Sequence, residues 1–271
     1  MKLIAAKIIR IYRIWLMQLY SNIMRRMAYP GNFYLMAIGS LFQMFLSIAF
    51  VNIIFSFINN LAGWSYHQAL LVVASYMLIE GFMWGTCAYL NGLSKNIQEG
   101  TLDGLLVKPI DSQFFVSVWQ SDPEDWMRVI TAIVLFTIAI KGLDFSQDKF
   151  ILNLFLYLFL LINSYFIIYS ITLVIRSITF WTTEGDGLWK ILETLTRLSQ
   201  YPTDIFYHSI ARFIFTAILP LAFISTVPAK ILINGPDIKL ILASTFLAII
   251  FFIASRKFFH YGLKHYSSAS S

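Results

Sequence analysis

Charged residues and cysteine are scarce in this sequence. Asp, Glu, Lys and Arg together make up 13% of the 271 residues, and Cys87 is the one cysteine. A single thiol excludes an internal disulfide and a metal site built from several thiolates of this chain. Hydrophobic residues make up 58% of the sequence, against roughly 45–50% in soluble domains. The composition therefore predicts an integral membrane protein.

Motifs for catalysis and nucleotide binding are also missing. The sequence contains no GxxxxGK[ST] phosphate loop, so we expect this chain to hold no ATP by itself. Its histidines lack the HExxH spacing of a helical zinc site; they are His67, His208, His260 and His265. We therefore predict no catalytic residue, no metal site and no cofactor bound by this chain. The net charge of +6 is explained by lipid contact and by charge asymmetry across the membrane, and it requires no nucleic-acid partner.

Long apolar runs predict an all-α fold of one transmembrane domain, residues 1–271, because about 20 apolar residues in a helix cross a bilayer. Six spans are predicted, at 32–57, 68–90, 126–140, 150–175, 208–233 and 238–255. Between the second and third spans lies a polar segment, 91–125, too long to be a simple turn. We expect this segment to carry a function.

Residues 1–29 have the pattern of an amphipathic helix that ends before Pro30. At 100° per residue, one arc is apolar and the opposite arc is basic. The apolar arc holds Ile4, Ile8, Ile11, Trp15 and Leu19, and the basic arc holds Lys2, Lys7, Arg10 and Arg13. This pattern is typical of a helix lying in the membrane interface, in contact with lipid headgroups. A solvated helix docked on protein fits the same pattern.

The distribution of Lys and Arg predicts the orientation in the membrane. Sixteen of the twenty basic residues lie in the N-terminal segment, the polar segment extended through Arg128, a second polar stretch at 176–212 and the C-terminal tail. We therefore predict that both termini, the segment 91–125 and the polar stretch from Arg176 to Tyr207 are cytoplasmic.

Three prolines lie at eight-residue intervals in and just after the predicted fifth span: Pro220 and Pro228 within it, and Pro236 beyond its end. One interpretation is a span that ends near Pro220 and is followed by a re-entrant helix, 221–234, on the outer side. The other is a single kinked span whose freed carbonyls are satisfied by neighbouring helices.

Glu80 is the one acidic residue well inside a predicted span. A carboxylate at membrane depth is costly, so it is expected to face the bundle interior, a partner or a water-filled path. It is either a contact in a substrate pathway or a hydrogen-bonded packing residue between helices.

Three stretches resemble a known family. They are NIQEGTLDGLLVKPI at 96–110, RLSQYPTDIFYHSIARFIFTAILPLAFISTVPAKILI at 197–233, and HYGLKHYSSASS at 260–271. Together they resemble permease subunits of bacterial type-2 ATP-binding-cassette (ABC) exporters, in the six-span branch with an EG.LD..L.KP loop. The resemblance implies a permease of the bacterial cytoplasmic (inner) membrane that dimerises with an identical or paralogous subunit. Separate ATPase subunits, which bind ATP and Mg, would drive it.

The resemblance also implies a coupling helix in the polar segment, against which the ATPase docks. A short helix from Asn96 to Val107, ended by Lys108-Pro109, agrees with this. We expect leucines to form its apolar anchor and charged residues to form its rim. The predicted coupling residues are Glu99, Gly100, Leu102, Asp103, Leu105, Leu106, Lys108 and Pro109.

Other functions remain open at this point. The polar segment could pack under its own bundle, and the chain could be a membrane scaffold that transports nothing. A self-contained channel or secondary transporter is less favoured, because no cluster of ion-binding residues accompanies Glu80.

Overall fold

The structure is a computed structural model that describes residues 2–28, 30–143, 147–182, 185–206 and 213–266. Within these ranges the regular structure is helical, apart from one isolated bridge between Leu61 and Trp64. The predicted all-α class is therefore confirmed. Residues 208–212 of the predicted fifth span and 267–271 of the C-terminal motif lie outside the described ranges.

The longer helices follow the apolar runs of the sequence. In chain order, the helices are α1 (Lys2–Met27), α2 (Pro30–Phe57), α3 (Tyr66–Cys87), α4 (Leu93–Gln98), α5 (Asp103–Leu106), α6 (Ser112–Val118), α7 (Asp125–Lys141), α8 (Gln147–Ser177), α9 (Gly185–Arg197), α10 (Thr226–Asn234) and α11 (Ile238–Lys264). Four helical stretches in the described part are long and apolar enough to cross a membrane: Tyr34–Phe57, Tyr66–Gln98, Lys149–Phe180 and Ile238–Lys264.

Helix α3 is the centre of the bundle, and residues 69–77 along it are buried. Helix α7 packs against it closely, because Gly81 leaves room for the backbone of the neighbouring helix. A Cβ at Gly81 would lie 2.8 Å from a methyl group of Val129. The two helices run in opposite directions, since Gly85 faces Trp126 whereas His67 faces Gly142 at the other end.

Helices α8 and α11 complete this core. Helix α8 runs in the same direction as α3, because the Tyr157 and Tyr165 hydroxyls lie 2.9 and 2.8 Å from the hydroxyls of Ser75 and Thr86 respectively. Helix α11 runs in the same direction as α8, because Asn163 donates to Thr245 at 3.1 Å and, farther along both helices, the Phe166 ring lies 5.5 Å from that of Phe252. We call the end of the bundle that carries Trp64 the Trp64 end, and the end that carries residues 93–119 the coupling end.

Residues 185–206 run from one end of the bundle to the other. Near the coupling end, the Trp189 ring lies 5.7 Å from that of Trp84. Farther along, the Tyr201 ring lies 5.4 Å from that of Phe50. At the Trp64 end, the Trp64 indole donates to Asp204 at 3.0 Å. The prediction that the polar stretch to Tyr207 stays wholly on one side of the bundle is therefore wrong, as far as Phe206, its last described residue.

The amphipathic pattern of this stretch explains the error. Residues at three- or four-residue intervals are buried, namely Trp189, Leu192, Thr196 and Ser199. Lys190, Glu193, Thr194 and Arg197 lie between them, so the stretch as a whole has too little apolar character for hydropathy to indicate a membrane span. A helix with one buried face does not need to be apolar all round.

The proline-rich segment is interrupted, not continuous. Helical turns at Ile214–Ile218 end at an extended Leu219 followed by Pro220. A separate helix, α10, follows, and Gly235 ends it with a φ of +90°. Helix α10 is largely buried and packs on α8, where the Asn153 amide donates to the Leu232 carbonyl at 3.4 Å. The described residues therefore differ from a single kinked helix, and the depth of α10 in the membrane stays a prediction.

Candidate coupling segment and polar cavity

The polar segment forms three short helices at the coupling end. A left-handed Gly100, with a φ of +69°, separates α4 from α5. Such a φ favours glycine, because a Cβ would be strained there. The Asn96 carbonyl accepts from the Leu102 amide across this turn, at 3.3 Å. The predicted continuous helix from Asn96 to Val107 is therefore wrong.

The turn at Gly100 also changes which side chains face outward. Leu102 is 0% exposed and Leu105 is 6% exposed, so both pack inside this chain. Leu106 is partly buried, whereas Val107 is 79% exposed. The prediction that Leu102 and Leu105 form an exposed anchor is wrong, because an interrupted helix turns these leucines toward the bundle.

Polar coupling residues lie in two different settings. Glu99 is exposed and forms an i,i+4 ion pair with Lys95 at 3.6 Å. Lys108 and Pro109 are exposed beside Val107. Asp103, in contrast, accepts a hydrogen bond from the Tyr266 hydroxyl at 2.8 Å, which ties α5 to the end of α11. Of the predicted coupling residues, Glu99, Lys108 and Pro109 thus lie on the outward surface of the segment, beside the exposed Val107.

Asp111 and Gln113 fasten α6 to the bundle. Asp111 caps α6 by accepting from the Phe114 amide at 3.0 Å, and it pairs with Arg256 on α11. The hydrogen bond from Arg256 lowers the pKa of Asp111, so this carboxyl stays ionised at neutral pH. Gln113 accepts from Arg256 at 3.0 Å and donates to the Tyr169 hydroxyl on α8 at 3.0 Å. A displacement of α6 would therefore pull on both α8 and α11.

A polar cavity of about 480 Å³ opens between α3, α7, α8 and α9. Its lining residues are Glu80, Trp84, Asn91, Asp125, Arg128, Arg176, Trp189, Lys190, Glu193 and Arg197. Arg128 lies at the junction of two carboxylates, 3.4 Å from Glu80 and 3.3 Å from Asp125. Glu80 is thus placed both against another helix and on a cavity wall.

Two other cations of this cavity are held in place by neighbours. The Arg176 guanidinium lies 4.2 Å from the centre of the Trp189 ring and donates to the Asn91 side chain at 2.9 Å. Arg197 pairs with Glu193 one turn away, at 2.9 Å. The cavity therefore carries both signs of charge in fixed positions, which suits a polar or charged guest better than an apolar one.

A comparison with protein families decides the family of this chain. Residues 41–270 match the model of the family described as ABC-2 family transporter protein. The chain belongs to that family. No curated protein and no solved structure matches the sequence.

Membership confirms the coarse predictions about function. This ABC-2 chain is the membrane component of an ABC transporter, it is a multi-pass membrane protein, and the family implies an ABC ATPase as a partner. ABC-2 permeases are not themselves nucleotide-binding enzymes. Among the described residues, no group of three His, Cys, Asp or Glu side chains could hold a metal ion.

Sequence reasoning identified Glu80 in this ABC-2 permease but missed its partners on other helices. The sequence pattern places Arg128 only among the basic residues at the end of the polar segment, and it places α9 in a polar stretch outside the predicted spans. The available signal was the spacing of Lys190, Glu193 and Arg197, which repeats every three or four residues and matches a helix face.

Proposed function

We propose that this chain is the permease subunit of a bacterial ABC exporter, located in the cytoplasmic membrane. Six crossings are formed by α2, α3, α7, α8, residues 185–205 and α11. The fifth crossing thus replaces the predicted 208–233. Consecutive crossings run in alternating directions along the bundle, which supports cytoplasmic placement of both termini together with the coupling end.

The polar face of α9 is the observation that supports a transport pathway between two permease subunits. Lys190, Thr194 and Arg197 are exposed in the single chain. At membrane depth a charged face toward lipid is costly, so such a face is expected to line water or meet another protein surface. A second permease, identical or paralogous, would cover this face and enclose the cavity that contains Glu80.

The ATPase, with its ATP and Mg, docks in this proposal on the outward surface of the coupling segment. Val107 supplies the apolar contact, and Glu99 and Lys108 supply polar contacts at the edge. Leu102 and Leu105 support this surface from behind. The bonds of Asp111 and Gln113 with α8 and α11 then carry movement of the ATPase into the crossings that surround the pathway.

Copurification with the ATPase tests the docking surface. Val107→Asp places a carboxylate on the proposed contact and should abolish copurification while leaving the yield of folded permease unchanged, because Val107 is 79% exposed. Thr182→Asp is the matched control, since it adds the same charge at another exposed position of the coupling end. It should copurify normally.

A normal yield of ATPase with Val107→Asp would show that the segment is not the docking surface. Failure of the wild-type permease to bind any ATPase would instead favour the scaffold alternative. Transport into vesicles without an ATPase would favour a channel or secondary transporter.

A further inference from the structure

A second cleft lies between α1, α6, α8 and α11, away from the polar cavity. Its volume is about 400 Å³, within the roughly 300–1,000 Å³ typical of small-molecule sites. Its walls are largely aromatic and include Trp15, Phe114, Tyr165, Phe166, Tyr169 and Phe252. Neither the coupling surface nor the proposed pathway uses this space.

The hydroxyl groups in these walls are hydrogen-bonded to other residues of the walls. The Tyr165 hydroxyl lies 2.8 Å from that of Thr86, and the Tyr169 hydroxyl lies 2.8 Å from that of Ser117. The Tyr169 hydroxyl also accepts from Gln113 at 3.0 Å. The surface offered to a guest is therefore apolar, and it favours a hydrocarbon over a polar solute.

One edge of the cleft is basic. Arg256 and Phe252 line both this cleft and an adjoining depression of about 590 Å³ on α11. The depression also carries Lys257 and Lys264, both exposed, and His260. Across the two spaces, the charged lining residues are three cations, Arg256, Lys257 and Lys264, and one carboxylate, Asp111. This edge therefore complements a negatively charged head group.

The remaining surface beside the cleft suits the membrane. On the flanking helices, Ile162 of α8 is 57% exposed, and Ile249 and Ile253 of α11 are 54% and 49% exposed. Both helices contain candidate spans. The apolar part of the cleft therefore suits the acyl chains of a lipid, and the cations at the end nearest the membrane surface suit its head group.

We infer that this cleft binds an anionic phospholipid of the cytoplasmic leaflet. One acyl chain lies between Trp15 and Phe252, and the phosphate lies at Arg256 and Lys257. The lipid then fills the seam between the N-terminal helix, the coupling segment and the bundle. This inference does not depend on the transported substrate.

Native mass spectrometry of the full-length permease in detergent tests head-group selectivity. The probes are dioleoyl phosphatidylglycerol, dioleoyl phosphatidylcholine, which has the same chains without net charge, and inorganic phosphate. One tightly bound phosphatidylglycerol per chain is expected, with phosphatidylcholine bound at least tenfold more weakly. Removing both cations in Arg256→Gln/Lys257→Gln should raise the Kd for phosphatidylglycerol about 25-fold, at roughly fivefold per cation.

Asp111→Asn is the matched control for loss of the ion pair. It breaks the same pair as Arg256→Gln but keeps the cation, so phosphatidylglycerol should bind as well as to the wild type or better. Equal weakening in both variants would show that the effect comes from loosened structure, and the proposal would be overturned. Competition by inorganic phosphate at equal concentration would identify a free-anion site, which also overturns it.

The position of the acyl chain is tested by fluorescence. Phosphatidylglycerol with brominated chains should quench part of the tryptophan fluorescence, with saturation at one lipid per chain. Trp15→Phe should remove most of that saturable part while leaving the Kd within about threefold. Unchanged saturable quenching in Trp15→Phe would show that the chain lies elsewhere.

Discussion

Arg128 should be far more important for stability than Glu80, although the two face each other in the polar cavity. Arg128 contacts both Glu80 and Asp125, at 3.4 and 3.3 Å. The side chains are 19%, 11% and 16% exposed for Arg128, Glu80 and Asp125, so water screens them only partly. Arg128→Met leaves two carboxylates without their shared cation. Glu80→Gln leaves Arg128 paired with Asp125.

The magnitudes follow from this asymmetry. At these distances each ion pair contributes about 4–5 kcal/mol of Coulomb energy at an effective dielectric constant of about 20, before the cost of desolvation. Removing one partner from a buried pair costs about 3–5 kcal/mol of folding free energy. We expect that cost for Arg128→Met and about 1 kcal/mol for Glu80→Gln, which removes one charge but keeps a hydrogen-bonding group.

Thermal unfolding of the purified permease in detergent measures both variants. Arg197→Met is the control, because its ion pair with Glu193 is 59% and 36% exposed and such pairs contribute at most about 1 kcal/mol. Equal losses of stability for Arg128→Met and Glu80→Gln would refute the reasoning. If Glu80 lines the pathway, Glu80→Gln should also reduce export at an unchanged amount of assembled complex. Reduced assembly with normal export per complex would indicate a packing role.

Two further predictions concern the coupling segment and the fifth crossing. Leu102→Ala removes a fully buried side chain, so it should destabilise the segment by about 2–5 kcal/mol and increase the rate of proteolysis within residues 93–119. Val107→Ala, the control, should leave this rate unchanged. Equal rates of proteolysis in the two variants would contradict the burial of Leu102. Ile205→Cys and Thr182→Cys should react with a membrane-impermeant thiol reagent from opposite sides of the membrane, because residues 185–205 connect the two ends of the bundle. Reaction of both from the same side would show that this stretch does not cross the membrane.

The long apolar helices could be predicted from the sequence because burial and lipid contact both favour apolar residues. The run 32–57 became α2, which begins at Pro30, and 150–175 became the middle of α8. Both α8 and α11 extend beyond the predicted spans, α8 by a few residues at each end and α11 as far as Lys264. Arg256 and Lys264 both lie within α11, and Arg256 pairs with Asp111 of the coupling segment.

The coupling segment shows what a local pattern leaves undetermined. Its motif predicted Gly100, Lys108 and Pro109 as coupling residues. Gly100 forms a turn and the other two are exposed, and their role in coupling stays a prediction. The side on which Leu102 and Leu105 lie depends on contacts with distant residues, among them the bond between Asp103 and Tyr266. Periodicity within a segment of about ten residues cannot supply such long-range contacts.

The proposed fifth crossing is not indicated by hydropathy, because hydropathy averages over all faces of a helix, whereas the membrane acts on each face separately. In α9, Trp189 and Leu192 pack inward while Lys190 and Arg197 lie on the other side. A single isolated chain would expose those cations to lipid, at a cost that a second protein surface or a water-filled path removes. In the proposed crossing, the cations that lower the hydropathy of the stretch are therefore the same residues for which we propose a pathway or a second protein surface.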